Sequence, residues 1–405
     1  MFPPLRAMIC ERVAGECAAR FGKQLRAIVL TGSLARDEAT IREEEGRWRL
    51  LGDAELLLVF HESSRLPAAS DVEGFRRGLE SALARSDVES HLSLGTVHPN
   101  YFRKLTPHIF AYELKTCGRV IWGDPGTLSL IPEFSPADIP QEDAWRLLCN
   151  RMIEQLEIVQ GRNDPGEVIR RGVPYATIKL YLDMATSYLV FVGAYEPTYR
   201  DRARRLGDFA AAVSSDVDAP FPLAGFADRV ARCTEVKLAG AAPDTLLSDH
   251  EGPLEFWADS LIDARRLWRW ELRRLTGLGV DASDRALWER WMQREPARAK
   301  LRGWLSALRH LDGRGGWRCW PRAARRVWSA SPRYWVYAAA SELCFHLPPL
   351  VQGNSASGAD RGLEELFAFL PETRQVAWTA GRAGWQCLVS EILWNYHRFL
   401  VETRS

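Results

Sequence analysis

The chain has 405 residues, which is too long for one ordinary hydrophobic core and predicts two or three domains. Charged residues make up 26% and hydrophobic residues 46% of the chain, and this composition excludes a disordered or collagen-like protein. The formal net charge of +1 gives no overall attraction to nucleic acid or to a membrane surface.

Neither the N-terminal segment nor the cysteine pattern predicts export. The first 22 residues contain acids and prolines where a signal peptide would have an apolar core. No later segment reaches the ~20 consecutive apolar residues needed to span a bilayer. The eight cysteines are scattered, without a CxxC pair or a Cys/His spacing suited to zinc. We therefore expect reduced thiols in a cytoplasmic protein without a membrane partner.

Residues 1–125 mix helical and strand patterns, as is typical of an α+β domain. Helical spacing occurs over residues 6–22 and again over the stretch DVEGFRRGLESALARS, residues 71–86. A polar insert, REEEGRWRLLG, separates the first two predicted strands. Strands are predicted at residues 27–31, 54–60, 91–97, 108–114 and 119–123.

Beyond the proline-rich linker of residues 123–140, apolar residues recur every three to four positions nearly to the end of the chain. This spacing predicts an all-helical second half with two lobes, residues 136–278 and 279–405, divided near Gly279. The expected fold class is therefore α+β, with an N-terminal α+β domain of residues 1–125 followed by the helical region.

The second predicted strand, in the stretch GDAELLLVF, contains two acids. Side chains alternate across a strand, so Asp53 and Glu55 share one face, ~6.6 Å apart at the backbone. Two carboxylates this close repel each other and lose hydration on burial, and a divalent cation removes both penalties. The alternative is an edge strand with solvated acids, but Gly52 and the apolar run after Glu55 favour a strand that leads into the core.

The first strand ends in a Gly-Ser pair, within the stretch TGSLAR. A glycine at a strand-to-helix turn lets the backbone approach a phosphate, and the N–H groups that follow favour an anion. The Ser33 hydroxyl can donate to a phosphate oxygen. Most Gly-Ser turns are only turns, but Gly32 and Ser33 followed by an acid-x-acid strand predict a triphosphate site beside a metal site.

Together these residues resemble the signature of the polymerase-β-type nucleotidyltransferase superfamily: an apolar strand, Gly-Ser, a spacer and an acid-x-acid strand. The resemblance covers roughly the first 125 residues. It implies a mixed-sheet nucleotidyltransferase domain and two Mg²⁺ ions held by acids such as Asp53 and Glu55. It also implies transfer of a nucleoside monophosphate from an NTP, with ATP the expected one, to a hydroxyl or amine, releasing pyrophosphate. The spacer is longer than usual, and Glu55 stands where Asp is more frequent.

The resemblance further implies a third acid on a later strand, for which Glu113 is the candidate as metal ligand or general base. An exposed acid on an edge strand is the alternative. In the first helical turn after Gly-Ser, Arg36 is a candidate phosphate ligand, while Glu38 is expected to stabilise the helix dipole.

In the helical half, a stripe of polar residues recurs every four positions along one predicted helix: Tyr175, Lys179, Asp183 and Ser187. A Lys179–Asp183 ion pair is the simplest interpretation of Asp183. Lys179 is also a candidate phosphate contact, because the resemblance implies a helical domain lying against the active site. Tyr195, Tyr199 and Arg200 are either nucleotide or acceptor contacts or parts of a helix-to-helix turn.

Residues 261–335 are rich in arginine and hold more than half of the chain's tryptophans. Arg265, Arg269 and Arg273 are predicted to share one helix face beside Trp268 and Trp270. Arginine interleaved with aromatic residues is typical of nucleic-acid stacking surfaces, but tryptophan at helical spacing is more often core. No RNA- or DNA-binding module signature is present.

The resemblance therefore implies a nucleotidyltransferase, a transferase of phosphorus-containing groups. The site residues are Asp53, Glu55 and Glu113 for catalysis and metal, with Gly32, Ser33, Arg36 and Lys179 for the nucleotide. The expected partners are the nucleotide and an acceptor, a small molecule rather than a polynucleotide. Two alternatives stay open: a non-catalytic nucleotide-binding or antitoxin-like protein, and an RNA-modifying nucleotidyltransferase.

Overall fold

The computed structural model describes residues 3–212, 218–247, 252–310, 326–352, 359–367, 369–374 and 381–401. The fold is α+β, as predicted from the sequence, and these described residues form one five-stranded sheet. The strands are β1 (Leu25–Thr31), β2 (Ile41–Glu44), β3 (Arg47–Phe60), β4 (Val88–Val97) and β5 (Arg119–Gly123).

Helices connect and follow these strands. The helices up to residue 212 are α1 (Pro3–Phe21), α2 (Gly32–Ala35), α3 (Ala69–Ala84), α4 (Pro99–Arg103), α5 (Ile109–Cys117), α6 (Gln141–Val159), α7 (Pro165–Arg170), α8 (Tyr175–Phe191) and α9 (Tyr199–Ala212). The later ones are α10 (Leu223–Ala239), α11 (Pro253–Thr276), α12 (Asp284–Arg294), α13 (Ala297–His310), α14 (Pro332–Val351), α15 (Ala359–Phe367) and α16 (Arg382–Tyr396). The described helices are all too short or too polar to span a lipid bilayer.

The long strand β3 is the centre of a mixed sheet. β1 and β2 pair with it antiparallel, and β4 pairs with it in parallel. β5 extends the sheet by pairing antiparallel with β1. Because Glu55 of β3 has partners on both sides, Thr31 in β1 and Ser93 in β4, the acid pair does not lie on an edge strand.

The polar insert between the first two predicted strands is itself a hairpin of β2 and the first part of β3. Glu44 pairs with Arg47, which leaves Glu45 and Gly46 as a two-residue turn. Both turn residues have positive φ, 54° and 78°, as such tight hairpins require. The insert therefore continues the sheet instead of interrupting it.

The sheet has an apolar core on each face. On one face, β-strand residues such as Ile28, Leu56 and Leu58 pack with α1 and α3 residues such as Ile9 and Leu79. The other face carries a second core cluster with members from the strands, α4 and α5: Ala27, Val29, Val59, Phe102, Leu105, Ala111, Leu114 and Ile131. The alternation of strand side chains between two covered faces accounts for the nearly continuous apolar run after Glu55.

The chain divides into two compact units that do not follow the domain boundaries expected from the sequence. The first unit comprises Met1–Asp143, Val192–Ala211 and Val230–Ala242. The second unit comprises Ala144–Phe191, Ala212–Arg229 and Pro243–Ser405. Most of α9 and the C-terminal half of α10 therefore belong to the unit that contains the sheet.

Candidate functional site

The Gly-Ser turn and the acid pair are adjacent at one end of the sheet. Thr31, the last residue of β1, pairs with Glu55 of β3. Gly32 follows with φ of +69°, and a Cβ atom placed on it would lie 2.5 Å from Glu55 Oε1 and 2.7 Å from its Cδ. A side chain at position 32 would displace the Glu55 carboxylate, and the positive φ of this residue independently favours glycine.

Asp53 and Glu55 project from the same face of β3 as Leu57 and Val59, by the alternation of side chains. Asp53 is exposed and Glu55 is half-buried, whereas Ala54 between them is fully buried on the opposite face. The two carboxylates thus lie where the apolar face reaches solvent, beside the Gly32–Ser33 turn.

Glu113 lies in a helix, so the strand predicted at residues 108–114 is wrong. The segment forms α5, whose first N–H group, that of Ile109, donates to Asp143 Oδ2 at 2.8 Å. A short apolar run does not distinguish a strand from a helix by itself, and this cap comes from a residue far along the sequence.

The carboxylate of Glu113 is occupied by neighbouring side chains of the first unit. It forms ion pairs with Arg36 and Arg202 and accepts a hydrogen bond from the Tyr195 hydroxyl at 2.7 Å. Burial would raise the pKa of Glu113, but the guanidinium groups of Arg202 and Arg36 hold that pKa below its usual value. Glu113 is therefore a buried carboxylate neutralised by two arginines, and a role as metal ligand or general base stays a prediction.

Arg36 is buried in the same cluster. Besides Glu113, its guanidinium group lies 3.5 Å from Glu38 and 5.3 Å from the centroid of the Tyr199 ring. The Tyr199 ring is also flanked by Arg202, at 5.0 Å. These contacts attach the residues after the Gly-Ser turn to α9, and the predicted phosphate contact of Arg36 stays untested.

Glu38 caps α9 instead of stabilising the helix in which it was predicted to act. Its Oε2 accepts from the N–H of Tyr199 at 2.8 Å, and its Oε1 accepts from the N–H of Arg200 at 2.9 Å. Glu38 itself is buried, with 2% of its surface exposed. A carboxylate at a helix N-terminus satisfies free N–H groups and opposes the positive end of the helix dipole.

The β4 residues beside the acid pair were not identified from the sequence. His91 pairs with Asp53 and Ser93 pairs with Glu55 in the parallel register of β3 and β4. In the stretch HLSLGTV, polar residues alternate with apolar ones, and the stretch follows a strand and a helix. This pattern could have predicted that His91 and Ser93 lie beside the acid pair. Arg202, the second partner of Glu113, gave no such signal.

Lys179 and the other polar residues of its stripe lie in the second unit, in α8. The predicted Lys179–Asp183 ion pair is wrong, because Asp183 pairs with Arg151 of α6 at 2.6 Å. The ammonium group of Lys179 lies 5.8 Å from the centroid of the Tyr175 ring. A contact of Lys179 with nucleotide stays a prediction.

Most described tryptophans of the basic segment belong to the core of the second unit. Trp268 and Trp270 are buried, as are Trp288 and Trp304. Arg265 and Arg269 both pair with Asp284. Residues 311–325 of this segment lie outside the described residues. These contacts match the core interpretation of the pattern, and the RNA-modifying alternative stays untested.

The carboxylates of Asp53 and Glu55 can be compared with the ligands that usually bind Mg²⁺ in proteins. Among the described residues, no three His, Cys, Asp or Glu side chains are grouped so as to hold a metal ion. Mg²⁺, however, is commonly held by one or two carboxylates together with water and substrate phosphates. Two carboxylates on one face beside a Gly-Ser turn fit this pattern.

Comparison of the chain with protein-family models, with curated proteins and with solved structures gave no match.

Proposed function

We propose that the protein is a metal-dependent nucleotidyltransferase that moves a nucleoside monophosphate from an NTP to a hydroxyl or amine acceptor and releases pyrophosphate. The observation that supports this most is the close approach of the Gly32 backbone to the Glu55 carboxylate, which leaves no room for a Cβ atom as the side chains stand. It brings close together the two parts of the sequence signature, which are separated along the chain by the β2–β3 hairpin.

In this proposal some residues contact the nucleotide or its metal ion, and others hold those residues in position. Gly32 allows close approach of the backbone, and the Ser33 hydroxyl donates to a phosphate oxygen. Asp53 and Glu55 hold Mg²⁺, which when bound neutralises charge on the phosphates. Arg36, Glu38 and Glu113 hold the turn against α9.

The proposal is tested by following the nucleotide's α-phosphate. The full chain is incubated with each α-³²P-labelled NTP, Mg²⁺ and a cell extract, and labelled products are separated by size. We expect Mg²⁺-dependent labelling of a small molecule with one NTP, lost in Asp53→Asn and Glu55→Gln. Glu89→Gln, which changes an exposed β4 acid paired with Arg49, is the matched control and keeps the activity.

Folded protein that labels nothing with any NTP, in Mg²⁺ or Mn²⁺, would rule out the transferase. Nucleotide binding without labelling would instead support the second candidate, a non-catalytic nucleotide-binding protein. That candidate is favoured by one observation: the β4 neighbours of the acid pair, His91 and Ser93, are not carboxylates.

A further inference from the structure

An open groove of about 630 Å³ lies between α1 and α3 on the surface of the first unit. The α1 charges that line it have contacts within the chain. Glu16 lies 3.7 Å from Arg12, and the Arg20 guanidinium group lies 5.3 Å from the centroid of the Phe75 ring. The α3 side of the groove differs from this in both shape and charge.

Two exposed glycines form the middle of the α3 side. Gly74 and Gly78 lie one turn apart in the interior of α3, and a Cβ atom placed on either would meet no other part of the described chain within 4 Å. Glycine is less favourable than alanine in a helix interior. No neighbour within the described chain therefore requires glycine here, whereas a second helix that packs closely against α3 would.

The two ends of the same α3 face carry opposite charges, Asp71 in the first turn and Arg85 at the C-terminal cap. At 3.6 residues per turn, both lie within about 20° of Gly78 around the helix axis, and about 21 Å of helix separates them. They are too far apart to pair within one chain. Neither side chain has a hydrogen-bond or ion-pair partner among the described residues.

This face of α3 is complementary to itself. Asp71 and Arg85 are equally distant from Gly78 along the chain, and so are Gly74 and the buried Ala82 at the base of the groove. In an antiparallel pair of α3 helices centred on Gly78, Asp71 therefore meets Arg85 of the partner subunit. Gly74 meets Ala82 of the partner subunit, and two-fold symmetry makes each of these contacts twice.

We propose that the groove is a homodimer contact, in which α3 of a second copy of the chain packs antiparallel across α3 with Gly78 at the centre. The glycines allow the two helices to approach closely, and the opposite charges set their direction and register. A second copy is the occupant that fits, because the charges of the face match those of the same face reversed. The proposal does not depend on the nucleotide site, since none of these residues belongs to it.

The dimer is tested by sedimentation equilibrium of the full chain, at concentrations up to about 1 mM. We expect a reversible monomer–dimer equilibrium in the wild type and a monomer in Gly78→Leu, whose side chain would occupy the contact. The single chain has room for this side chain, so the variant stays folded, as circular dichroism checks. Gly225→Leu, at an exposed glycine of α10 with equally open surroundings, is the matched control and keeps the dimer.

The direction of the contact is tested by charge reversal. Asp71→Arg and Arg85→Asp each place like charges opposite one another, and each raises the dimer Kd by about tenfold. The two changes combined in one chain restore opposite charges and return the Kd to near that of the wild type. Arg77→Asp, at an exposed position on another face of α3, is the control and leaves the Kd unchanged.

A wild type that stays monomeric at every concentration would overturn the proposal and leave the groove to a partner other than a second copy. A dimer that persists in folded Gly78→Leu would use another surface, which equally overturns it. A double charge variant that binds no more tightly than the single ones would overturn the antiparallel register.

Discussion

Glu271 is a single carboxyl group enclosed in the helical core of the second unit. It has no exposed surface, and its Oε1 accepts a hydrogen bond from the Ser187 hydroxyl at 2.6 Å. No described residue provides a hydrogen-bond partner for Oε2. Burial raises the pKa of Glu271 to about 8, because the core cannot solvate the charged form and one hydroxyl compensates only in part.

This group makes the stability of the protein depend on pH. In the unfolded chain a Glu side chain has a pKa of about 4.3, so the unfolded state loses this proton first as the pH rises. The wild type therefore loses stability between about pH 4 and the folded-state pKa of about 8, with no further loss from this group above it. Glu271→Gln keeps an acceptor for Ser187 and does not titrate.

We expect Glu271→Gln to match the wild type in free energy of unfolding near pH 4 and to exceed it at pH 8. The scale is about 1.4 kcal/mol per unit of pKa difference, which makes the gain a few kcal/mol at most. Urea unfolding of both proteins at several pH values measures the difference. Glu289→Gln, at a half-buried acid of α12 that pairs with Arg285, serves as control. Parallel stability curves would contradict the assignment of the pH dependence to Glu271.

At the scale of elements, α9 is attached to the segment between α2 and β2, and the end of α10 is attached to β2. Glu38 caps α9, and Arg36 and Arg202 flank the ring of Tyr199. Arg42 of β2 donates to the carbonyl oxygens of Gly240 and Ala241, both at 3.0 Å, beyond the end of α10. Helices distant in sequence thus complete the surroundings of the Gly-Ser turn.

Glu38 allows the strength of this attachment to be measured. Glu38→Ala leaves two N–H groups of α9 without their acceptor, which lowers the free energy of unfolding by about 2–3 kcal/mol. Glu38→Gln retains one acceptor and loses the interaction with the helix dipole, at a cost of about 1 kcal/mol. Urea unfolding measures both, with Glu43→Ala at an exposed β2 position as control. Equal stabilities of Glu38→Ala and Glu43→Ala would refute the capping role.

The sequence predicted the elements whose pattern is local. The strands at β1, β3, β4 and β5 and the helix α3 are confirmed, because alternation and helical spacing are visible within each segment. The structure also brings Gly32 close to the Glu55 carboxylate, while the predicted roles of both residues in binding nucleotide and metal stay predictions.

Features that depend on distant partners could not be predicted. The cap of α5 comes from Asp143, and Asp183 pairs with Arg151 in another helix. The arginines that surround Glu113 come from α9 and from the residue after α2. A single sequence does not show which of its many arginines will meet a given acid once the chain is folded.

At the scale of the whole molecule, the first unit has its own apolar core on each face of the sheet, and neither core includes the acid pair. The described cysteines form no disulfide with one another. The two apolar cores of the first unit are therefore built without the acids that the proposed cation would bind, and the described residues contain no disulfide. Folding and the proposed cation site are separate properties of the molecule.

This separation predicts the outcome of metal removal. Treatment with EDTA is expected to leave the Tm of the nucleotide-free protein unchanged, because the core does not depend on a metal. Addition of Mg²⁺ and the bound NTP raises the Tm, since a ligand at 100 times its Kd stabilises the folded state by about 2.7 kcal/mol. Differential scanning calorimetry measures both. A lower Tm in EDTA would show that a metal has a structural role.

The first unit is assembled from three segments of the chain, and this has a consequence for biosynthesis. The ribosome synthesises the strands of the sheet and their acids well before residues 192–211 and 230–242. Until then Glu38 lacks the helix that it caps, and Glu113 lacks Arg202 and Tyr195. A buried charge without its partner is strongly destabilising. We therefore expect the packing around Glu38 and Glu113 to be completed only after α9 has emerged from the exit tunnel.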